Sequence, residues 1–289
     1  MNVCEERLFE KPLAVRPAEN AVATYFGNNA PTWNAMYTRR DLWGDIHQQR
    51  LARFLAWVDR LNVPVETVVA DIGCGAGLAT LALAQRGFCV EATDVANAMI
   101  EIARQNAVAA GVQARVRANV GDIYHLGFPE AAFGLVLSIG VIPWLQSPGE
   151  AIAELARIVK PGGYLLFTAD NRSRLAHLLD PATSPALGWA RRGLKTILRR
   201  SNPTVSSQGS VRSYRHSLGE VDAFLNQAGL ERVHSETLGF GPFTIFHRKL
   251  LPTNMEVAVN HGLQRLADMR WPLFRATGAQ FLVLAKKRS

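Results

Sequence analysis

The chain has 289 residues, a formal net charge of +8 and 48% hydrophobic residues. A chain of this composition can bury a sizeable core. The charged fraction of only 19% argues against general disorder. No apolar run reaches the length of about twenty residues that a membrane-spanning helix needs, and the N-terminal residues lack the apolar run of a secretory signal. Because the three cysteines are scattered and odd in number, we expect free thiols in a reducing cytoplasm, with neither a disulfide framework nor a zinc site.

The basic charge is concentrated in one segment of the chain. Residues 170–215 contain nine Arg and Lys against two Asp, so this segment carries +7 of the formal charge of +8. The rest of the chain is therefore nearly neutral. This distribution argues against a uniformly basic nucleic-acid-binding protein and indicates one local basic element.

Short apolar runs alternate with helical patterns through the middle of the chain. The predicted strands are 67–71, 88–93, 114–119, 133–139 and 164–169, and the predicted helices between them are 78–86, 96–110 and 150–159. After an interruption, the pattern resumes with a helix over 218–228 and strands from residue 230 and over 279–285. This order predicts an α/β fold with a parallel, doubly wound sheet that has helices on both faces.

A glycine-rich loop lies between the first predicted strand and the helix that follows it. The loop spans residues 71–77 with the sequence DIGCGAG. Glycines there allow a tight turn and a close approach of the backbone to a ligand, and the next helix directs its N-terminus at the same place. A dinucleotide-binding fingerprint would require glycine at position 78, where this chain has Leu78.

The loop resembles the motif of class I methyltransferases that use S-adenosylmethionine (SAM), and the resemblance extends from about Glu66 to Phe167. The resemblance implies that Asp94 binds the ribose hydroxyls and that Asp122 takes the adenine amino group, at the sheet edge where open α/β folds bind ligands. The SAM contacts implied in this way are Tyr37, Asp71, Gly73, Cys74, Gly75, Gly77, Asp94, Val95, Met99, Asp122, Ile123, Ser138, Ile139 and Gly140. The expected product is S-adenosylhomocysteine (SAH), and no metal is expected.

The same resemblance implies a seven-stranded, mostly parallel sheet within a single methyltransferase domain over 1–289. We divide this domain into four parts. They are an N-terminal helical lid (1–61), a SAM-binding core (62–170), a basic helical insertion that shapes the acceptor site (171–216) and the C-terminal part of the sheet (217–289).

No general base is evident after the fourth predicted strand. Family members often place a histidine or a polar pair there, whereas this chain has IPWL at 142–145. Methyl transfer depends mainly on alignment of the acceptor, and a base helps only where the acceptor must lose a proton. The catalytic residue therefore stays open, and the candidates are Tyr25, Tyr37, His47, Asp170, His177, His216 and His247. Among these, Tyr37 is the expected lid contact.

The insertion contains a predicted basic amphipathic helix over 186–200. Such a helix could rest on an anionic membrane surface, bind an acidic or phosphate group of the acceptor, or form a lid with a solvated basic face. Nucleic acid is the weaker alternative, because the basic run lacks interleaved aromatic residues. The candidate acceptor contacts are Trp144, Trp189, Arg191, Arg192 and Phe243.

The favoured function is methyl transfer from SAM to a small hydrophobic acceptor, such as a natural product, an isoprenoid or a lipid-like molecule. The position methylated (O, N or C) stays open. One alternative is a non-catalytic protein that senses SAM or SAH, since a fold does not fix a function. Another is an RNA or protein methyltransferase, although residues 138–141 lack the Asn/Asp-Pro-Pro-Tyr/Phe tetrad of one such group. We expect a cytoplasmic protein, with peripheral membrane contact and pairing of the N-terminal helices into a homodimer as open alternatives.

Overall fold

The computed structural model describes residue 4 and residues 16–65, 67–184, 211–246 and 248–288. The chain begins with helices that precede the sheet. They are α1 (Pro17–Asn28), α2 (Ala30–Asn34), a 3-10 turn (Ala35–Thr38) and α3 (Leu42–Arg60). The Asp41 side chain caps α3 by accepting a hydrogen bond from the Gly44 backbone N–H at 3.0 Å.

Five strands then alternate with helices, as the sequence pattern predicts. The elements are β1 (Val68–Ile72), α4 (Leu78–Gln85), β2 (Cys89–Asp94), α5 (Asn97–Ala109), β3 (Val116–Val120), β4 (Phe133–Ser138), α6 (Pro148–Ile158) and β5 (Val159–Asp170), with 3-10 turns at Gln113–Arg115 and Ile142–Trp144. Strands β1, β2 and β4 are almost wholly buried, which is the pattern of parallel strands covered on both faces.

The remaining part of the chain completes the sheet. Its elements are α7 (Leu175–Leu179), α8 (Leu218–Gln227), β6 (Leu230–Leu238), β7 (Thr244–Ile245), β8 (Arg248–Lys249), α9 (Thr253–Asp268), α10 (Pro272–Thr277) and β9 (Gln280–Lys287). A capping box starts α8: Ser217 and Glu220 each accept the other's backbone N–H. Helices α9 and α10 occupy a stretch where we predicted no regular element.

The seven main strands form one sheet in the order β3-β2-β1-β4-β5-β9-β6. Strands β1 to β5 pair in parallel, whereas β9 is antiparallel to both β5 and β6. The prediction of a seven-stranded, mostly parallel class I methyltransferase sheet is therefore confirmed. The strand order reverses between β1 and β4, and open α/β sheets bind ligands at such a point.

Side chains alternate between the two faces of the sheet and fill two cores. Val136 and Phe167 belong to the core shared with α6 and α8, whereas Leu135 and Leu137 belong to the core shared with α3 and α4. This alternation follows from the two-residue period of a strand. The core on the second face holds Phe54 and thereby fixes α3 against the sheet.

The cysteines and the basic segment differ from what the sequence predicted or lie outside the described residues. The structure pairs Cys4 with Cys89 in a disulfide, so the expectation of three free thiols is wrong, and Cys74 is the free cysteine. The pairing could not be predicted from local sequence because 85 residues separate the two cysteines along the chain. The predicted helix over 186–200, with Trp189, Arg191 and Arg192, lies outside the described residues. Within the described part of the chain, no helix is long and apolar enough to cross a membrane.

Candidate functional site

A cavity of about 600 Å³ lies at the carboxyl ends of β1, β2, β4 and β5, between the sheet-edge loops and the helices α1 to α3. Its volume is within the range of about 300–1,000 Å³ that is usual for small-molecule sites. Eleven of the fourteen predicted SAM contacts line it. They are Asp71, Gly73, Cys74, Gly75, Asp94, Val95, Met99, Asp122, Ile123, Ile139 and Gly140.

The other three predicted SAM contacts are placed differently. Gly77 begins α4 with a φ of 83°, and a Cβ there would lie 3.0 Å from the Ala103 Cβ, so this glycine allows α4 to approach α5. Ser138 is fully buried at the end of β4 and does not line the cavity. The side chain of Tyr37 lies outside the described part of the structure, although the neighbouring Met36 and Arg39 line the cavity.

The glycine loop turns tightly over the end of β2. The Gly73 backbone N–H donates to the Thr93 carbonyl at 2.7 Å, and the φ of Gly73 is 75°. A Cβ at Gly73 would lie 2.2 Å from Val141 Cγ2, so no larger residue fits. Gly75 has a φ of 54° and open space where its Cβ would be, which leaves the loop backbone accessible to a ligand.

The Asp94 carboxylate is fixed beside this loop. Its Oδ2 accepts from the Gly75 backbone N–H at 2.8 Å, and its Oδ1 accepts from the Ala96 backbone N–H at 2.9 Å. Burial raises the pKa of Asp94, and these hydrogen bonds oppose that effect. Each carboxylate oxygen has two acceptor positions, so both retain capacity for a hydroxyl donor. The arrangement fits a ribose diol.

Asp71 adds a second buried carboxyl group at the end of β1. Thr80 Oγ1 donates to Asp71 Oδ2 at 2.5 Å. Burial raises the pKa of Asp71 to about 6, and the Asp94 charge acts in the same direction. Burial and these two carboxylates also raise the pKa of the Cys74 thiol well above its ordinary value. The thiol is therefore protonated at neutral pH, which argues against Cys74 as a nucleophile.

Asp122 connects the loop after β3 to the start of α1. Its Oδ2 accepts from the Arg16 backbone N–H and its Oδ1 from the Tyr124 backbone N–H, both at 3.0 Å. The Arg16 guanidinium lies 4.4 Å from the centroid of the Tyr124 ring and pairs with Glu150 at 2.9 Å. These contacts hold the N-terminal helix over the part of the cavity where an adenine ring is expected.

Aromatic side chains of α1 and α2 meet the turn after β4 and form an apolar wall. The Trp144 ring centroid lies 5.3 Å from that of Phe26 and 5.9 Å from that of Tyr25, and Phe26 lies 5.5 Å from Trp33. All four rings line the cavity. The structure therefore brings Trp144, a predicted acceptor contact, together with the N-terminal helices.

Polar side chains line the part of the cavity near the ends of β5 and β9. Arg50 Nη1 donates to Gln280 Oε1 at 3.4 Å, and Gln280 Nε2 donates to Asp170 Oδ1 at 3.1 Å. Burial raises the pKa of Asp170, against the opposing charges of Arg174, Arg215 and Arg50. Arg50 and Arg174 were not among the residues predicted from the sequence to line the site. The burial of Arg50 could have been inferred from the sequence. Arg50 occurs at the same helical spacing as the apolar residues of α3 and therefore lies on the buried face of that helix.

The candidate bases are distributed unevenly around the cavity. Tyr25, His47 and Asp170 line it, whereas His177 does not. Burial, reinforced by the Arg50 charge, lowers the pKa of His47 to about 3, and its Nδ1–H donates to the Trp43 carbonyl at 2.7 Å.

The remaining candidates lie elsewhere. His216 is buried behind β5, where its backbone N–H donates to the Asp170 carbonyl at 2.8 Å, and His247 lies outside the described residues. Phe243, expected in the acceptor wall, packs instead with Phe240 and Ala267 away from the cavity. Within the described part of the chain, no group of three or more His, Cys, Asp or Glu is placed to hold a metal ion.

Comparisons with known proteins agree with this geometry. Residues 70–167 match the family model described as a methyltransferase domain. The ubiquinone biosynthesis O-methyltransferase of Pseudomonas putida (strain GB-1) is 29% identical over 212 residues, which cover 73% of this chain and 83% of that protein.

Two solved structures share the fold. Magnesium protoporphyrin IX methyltransferase from Synechocystis PCC 6803, crystallised with SAH, superposes with a TM-score of 0.61 at 18% identity, over 93% of this chain and 99% of that one. Geranyl diphosphate methyltransferase, in complex with GPP and sinefungin, superposes with a TM-score of 0.59 at 15% identity, over 95% and 100% of the two chains. The chain therefore carries a methyltransferase domain over residues 70–167 and has the fold of these methyltransferases.

Proposed function

We propose that the protein binds SAM at the glycine-loop end of the cavity and methylates a small, largely apolar acceptor bound at the other end. The observation that carries this proposal is the continuity of the site. One cavity extends from Asp94 and Asp122, which suit the nucleoside, to Trp144 and Asp170, which are placed for an acceptor.

The chain's own groups would hold the cofactor at three places. Asp94 accepts the ribose hydroxyls, Asp122 faces the adenine, and the turn at Gly140 receives the methionine part. Gly140 has a φ of 81°, and its backbone N–H donates to Thr168 Oγ1 at 2.7 Å. A Cβ on Gly140 would lie 3.3 Å from Arg50 Nη1, so we assign Arg50 to the carboxylate of the methionine part. When bound, SAM supplies a methyl group on a positively charged sulfur. A nucleophilic atom can attack that methyl carbon, and the sulfur then leaves as a neutral thioether.

The acceptor is proposed to be largely apolar because four aromatic rings form one wall of the cavity. These rings are Tyr25, Phe26, Trp33 and Trp144. The names of the relatives, which refer to ubiquinone biosynthesis and to geranyl diphosphate, support such an acceptor. The wall excludes water and orients the acceptor, which is the main contribution a protein makes to this reaction.

An acceptor hydroxyl must lose its proton as its oxygen takes the methyl group. Asp170 is the better candidate to receive that proton, because it lines the cavity and burial raises its pKa. The pKa of about 3 makes His47 a weak base. The relatives named as O-methyltransferases favour an oxygen acceptor.

The test is incubation of the purified protein with SAM that carries a labelled methyl group and a panel of phenolic, isoprenoid and fatty acceptors. The expected result is label in an apolar hydroxyl compound with equal release of SAH. The Asp170→Asn variant should lower the rate of transfer with little change in SAH affinity. Tight SAM binding with no transfer to the apolar panel would favour the sensor alternative, and transfer only to RNA or protein would favour the macromolecular one.

Membrane contact through residues 186–200 and pairing of the N-terminal helices stay predictions. Flotation with anionic vesicles tests the first. The wild type should float, whereas a variant with Gln at the basic positions Arg191, Arg192, Lys195, Arg199 and Arg200 should not. Sedimentation equilibrium tests the second.

A further inference from the structure

Besides the aromatic wall, the cavity is bordered by half-buried arginines. Arg174 lines the cavity close to Asp170, and Arg215 lies on the other side of His177. Arg174 Nη2 contacts His177 Nε2, and Arg215 Nη1 contacts His177 Nδ1 at 3.3 Å. The two guanidinium groups are therefore held on one imidazole ring, next to the acceptor half of the cavity.

Among the residues that the structure describes, this cluster has more positive charge than its neighbouring carboxylate can balance. Asp170 is the carboxylate on which the charges of Arg174, Arg215 and Arg50 act together. The Nε atoms of both Arg174 and Arg215 are buried and have no hydrogen-bond acceptor among the described residues. Burial and the Arg215 charge lower the pKa of Arg174 to about 10, which is the direction expected of unbalanced cations brought together.

His177 cannot satisfy both arginines. A neutral imidazole offers one acceptor nitrogen and one N–H, whereas a guanidinium only donates. One of the two contacts therefore sets a donor against a donor, whichever tautomer the ring adopts. An anion beside these guanidinium groups, which only accepts, would take up the donors that the imidazole cannot accept and would offset the excess of positive charge.

We propose that Arg174 and Arg215 form an anion subsite for a carboxylate or phosphate group of the acceptor. The inference rests on the proposed function: the apolar body of the acceptor lies along the aromatic wall and its acidic group points to the arginines. Guanidinium groups recognise both anions through paired N–H donors. The subsite is separate from Arg50, which lies at Gly140 and is assigned to the cofactor.

The first test compares matched ligands on the SAH-loaded wild-type protein by calorimetry. Geranyl phosphate is paired with geraniol, and decanoate with decanol, so each pair differs in its anionic group. Each anion should bind at least about tenfold more tightly than its alcohol if both chemistries are accepted. A preference in one pair only identifies the anion. If neither anion binds more tightly than its alcohol, including the case in which nothing binds, the subsite does not exist.

The second test uses Arg174→Gln and Arg215→Gln, with Arg172→Gln as the matched control. Arg172 is two residues from Arg174 but exposed, and it pairs with Glu220 at 2.7 Å. The first two variants should lose the anion preference, whereas the control should keep it. The melting temperature of the SAH-free Arg174→Gln variant should be equal to or above that of wild type, because an unbalanced, half-buried cation is removed. A lower melting temperature with the anion preference intact means a structural role and overturns the inference.

SAH titrations separate this inference from the proposed function. SAH affinity should be the same in wild type and in all three variants. If Arg174→Gln weakens SAH and the anionic ligands by the same factor, the arginines hold the cofactor and the acceptor subsite is refuted. If wild type itself binds neither SAM nor SAH, it is the proposed function that fails.

Discussion

The Asp94 carboxylate accepts a hydrogen bond from the Gly75 backbone N–H at 2.8 Å, so the group proposed to bind the ribose also fixes the glycine loop. Its second oxygen fixes the segment before α5 through Ala96 at 2.9 Å. Since both partners are backbone groups, one in the glycine loop and one before α5, the carboxylate is held in place before any ligand arrives. This preorganisation lowers the entropic cost of binding.

The Asp94→Ala variant should therefore bind SAM and SAH about 1.5 to 3 kcal/mol more weakly, because charge-assisted hydrogen bonds are lost. The two ligands should be affected alike, since they share the ribose. Calorimetric titration measures the loss. Asp59→Ala, which removes an exposed carboxylate paired with Arg86, is the control and should bind both ligands as wild type does. Unchanged affinity in Asp94→Ala would refute the ribose assignment.

Asp71 should make SAM binding depend on pH in mildly acidic solution. With its pKa raised to about 6, the free protein protonates this group as pH falls below that value, and the cavity loses a negative charge that would attract the sulfonium of SAM. SAM affinity should therefore fall from about pH 7 to about pH 5, and by more than SAH affinity, since SAH has no charge on sulfur. The ratio of the two dissociation constants isolates this effect from the titration of Asp94, which acts on both ligands.

The Asp71→Asn variant should abolish that change in ratio and should also stabilise the ligand-free protein. The sign follows from the raised pKa: stability from this group is present below the unfolded value and is lost as pH rises through about 6. At neutral pH the buried ionised group thus costs free energy. Thermal unfolding at pH 7 should show the increase, and a decrease would contradict the assigned electrostatics.

Gly73→Ala should disable the glycine loop. Its new Cβ would lie 2.2 Å from Val141 Cγ2 in a residue with a φ of 75°. Gly111→Ala is the matched control, because Gly111 has a φ of 69° but open space around its Cβ. The control should lose about 1 kcal/mol of stability from backbone strain alone and keep SAM binding. Gly73→Ala should lose more stability and bind SAM at least about tenfold more weakly; equal behaviour of the two variants would mean that Val141 simply moves aside.

His47 should contribute to unfolding in acid. Its pKa is lowered to about 3 by burial, so the unfolded chain takes up a proton as pH falls below about 6.5 while the folded protein does not. The contribution of His47 to the free energy of unfolding is therefore complete above about pH 6.5. Below that pH it is lost, at up to about 1.4 kcal/mol per pH unit. His47→Asn should flatten the fall in the free energy of unfolding between those values, measured by urea titration. His125→Asn, at an exposed position, should leave the slope unchanged.

The sheet could be predicted because its parallel strands are apolar runs bounded by glycines and acids. Asp94 and Asp122 could be placed for the same reason, since the carboxyl ends of parallel strands meet at one edge. Helix α9 escaped prediction because its buried face is polar. Asn260 Oδ1 accepts from the Phe240 backbone N–H at 2.7 Å, and Gln264 Oε1 accepts from the Gly239 backbone N–H at 3.0 Å. The apolar residues Val259 and Leu263 of the same helix are only partly buried, so the helix is fixed largely by polar side chains.

The arginines that line the cavity could not be predicted from the sequence for a related reason. A charged residue in a sequence is normally read as solvent-exposed, and Arg50 and Arg174 are brought together only by the tertiary fold. Within the basic segment 170–215, the described arginine that lines the cavity is Arg174, near the start of that segment. The pairing of Cys4 with Cys89 likewise depends on contacts that no local pattern encodes.

If the cavity between Asp94 and Trp144 is a SAM site, calorimetric titration of the purified protein with SAM and SAH should reveal it. Both ligands should bind one to one with dissociation constants in the micromolar range, or roughly 8 kcal/mol of binding free energy. If neither SAM nor SAH binds at about millimolar concentration, where binding would require only about 4 kcal/mol of free energy, the cavity is not a SAM site.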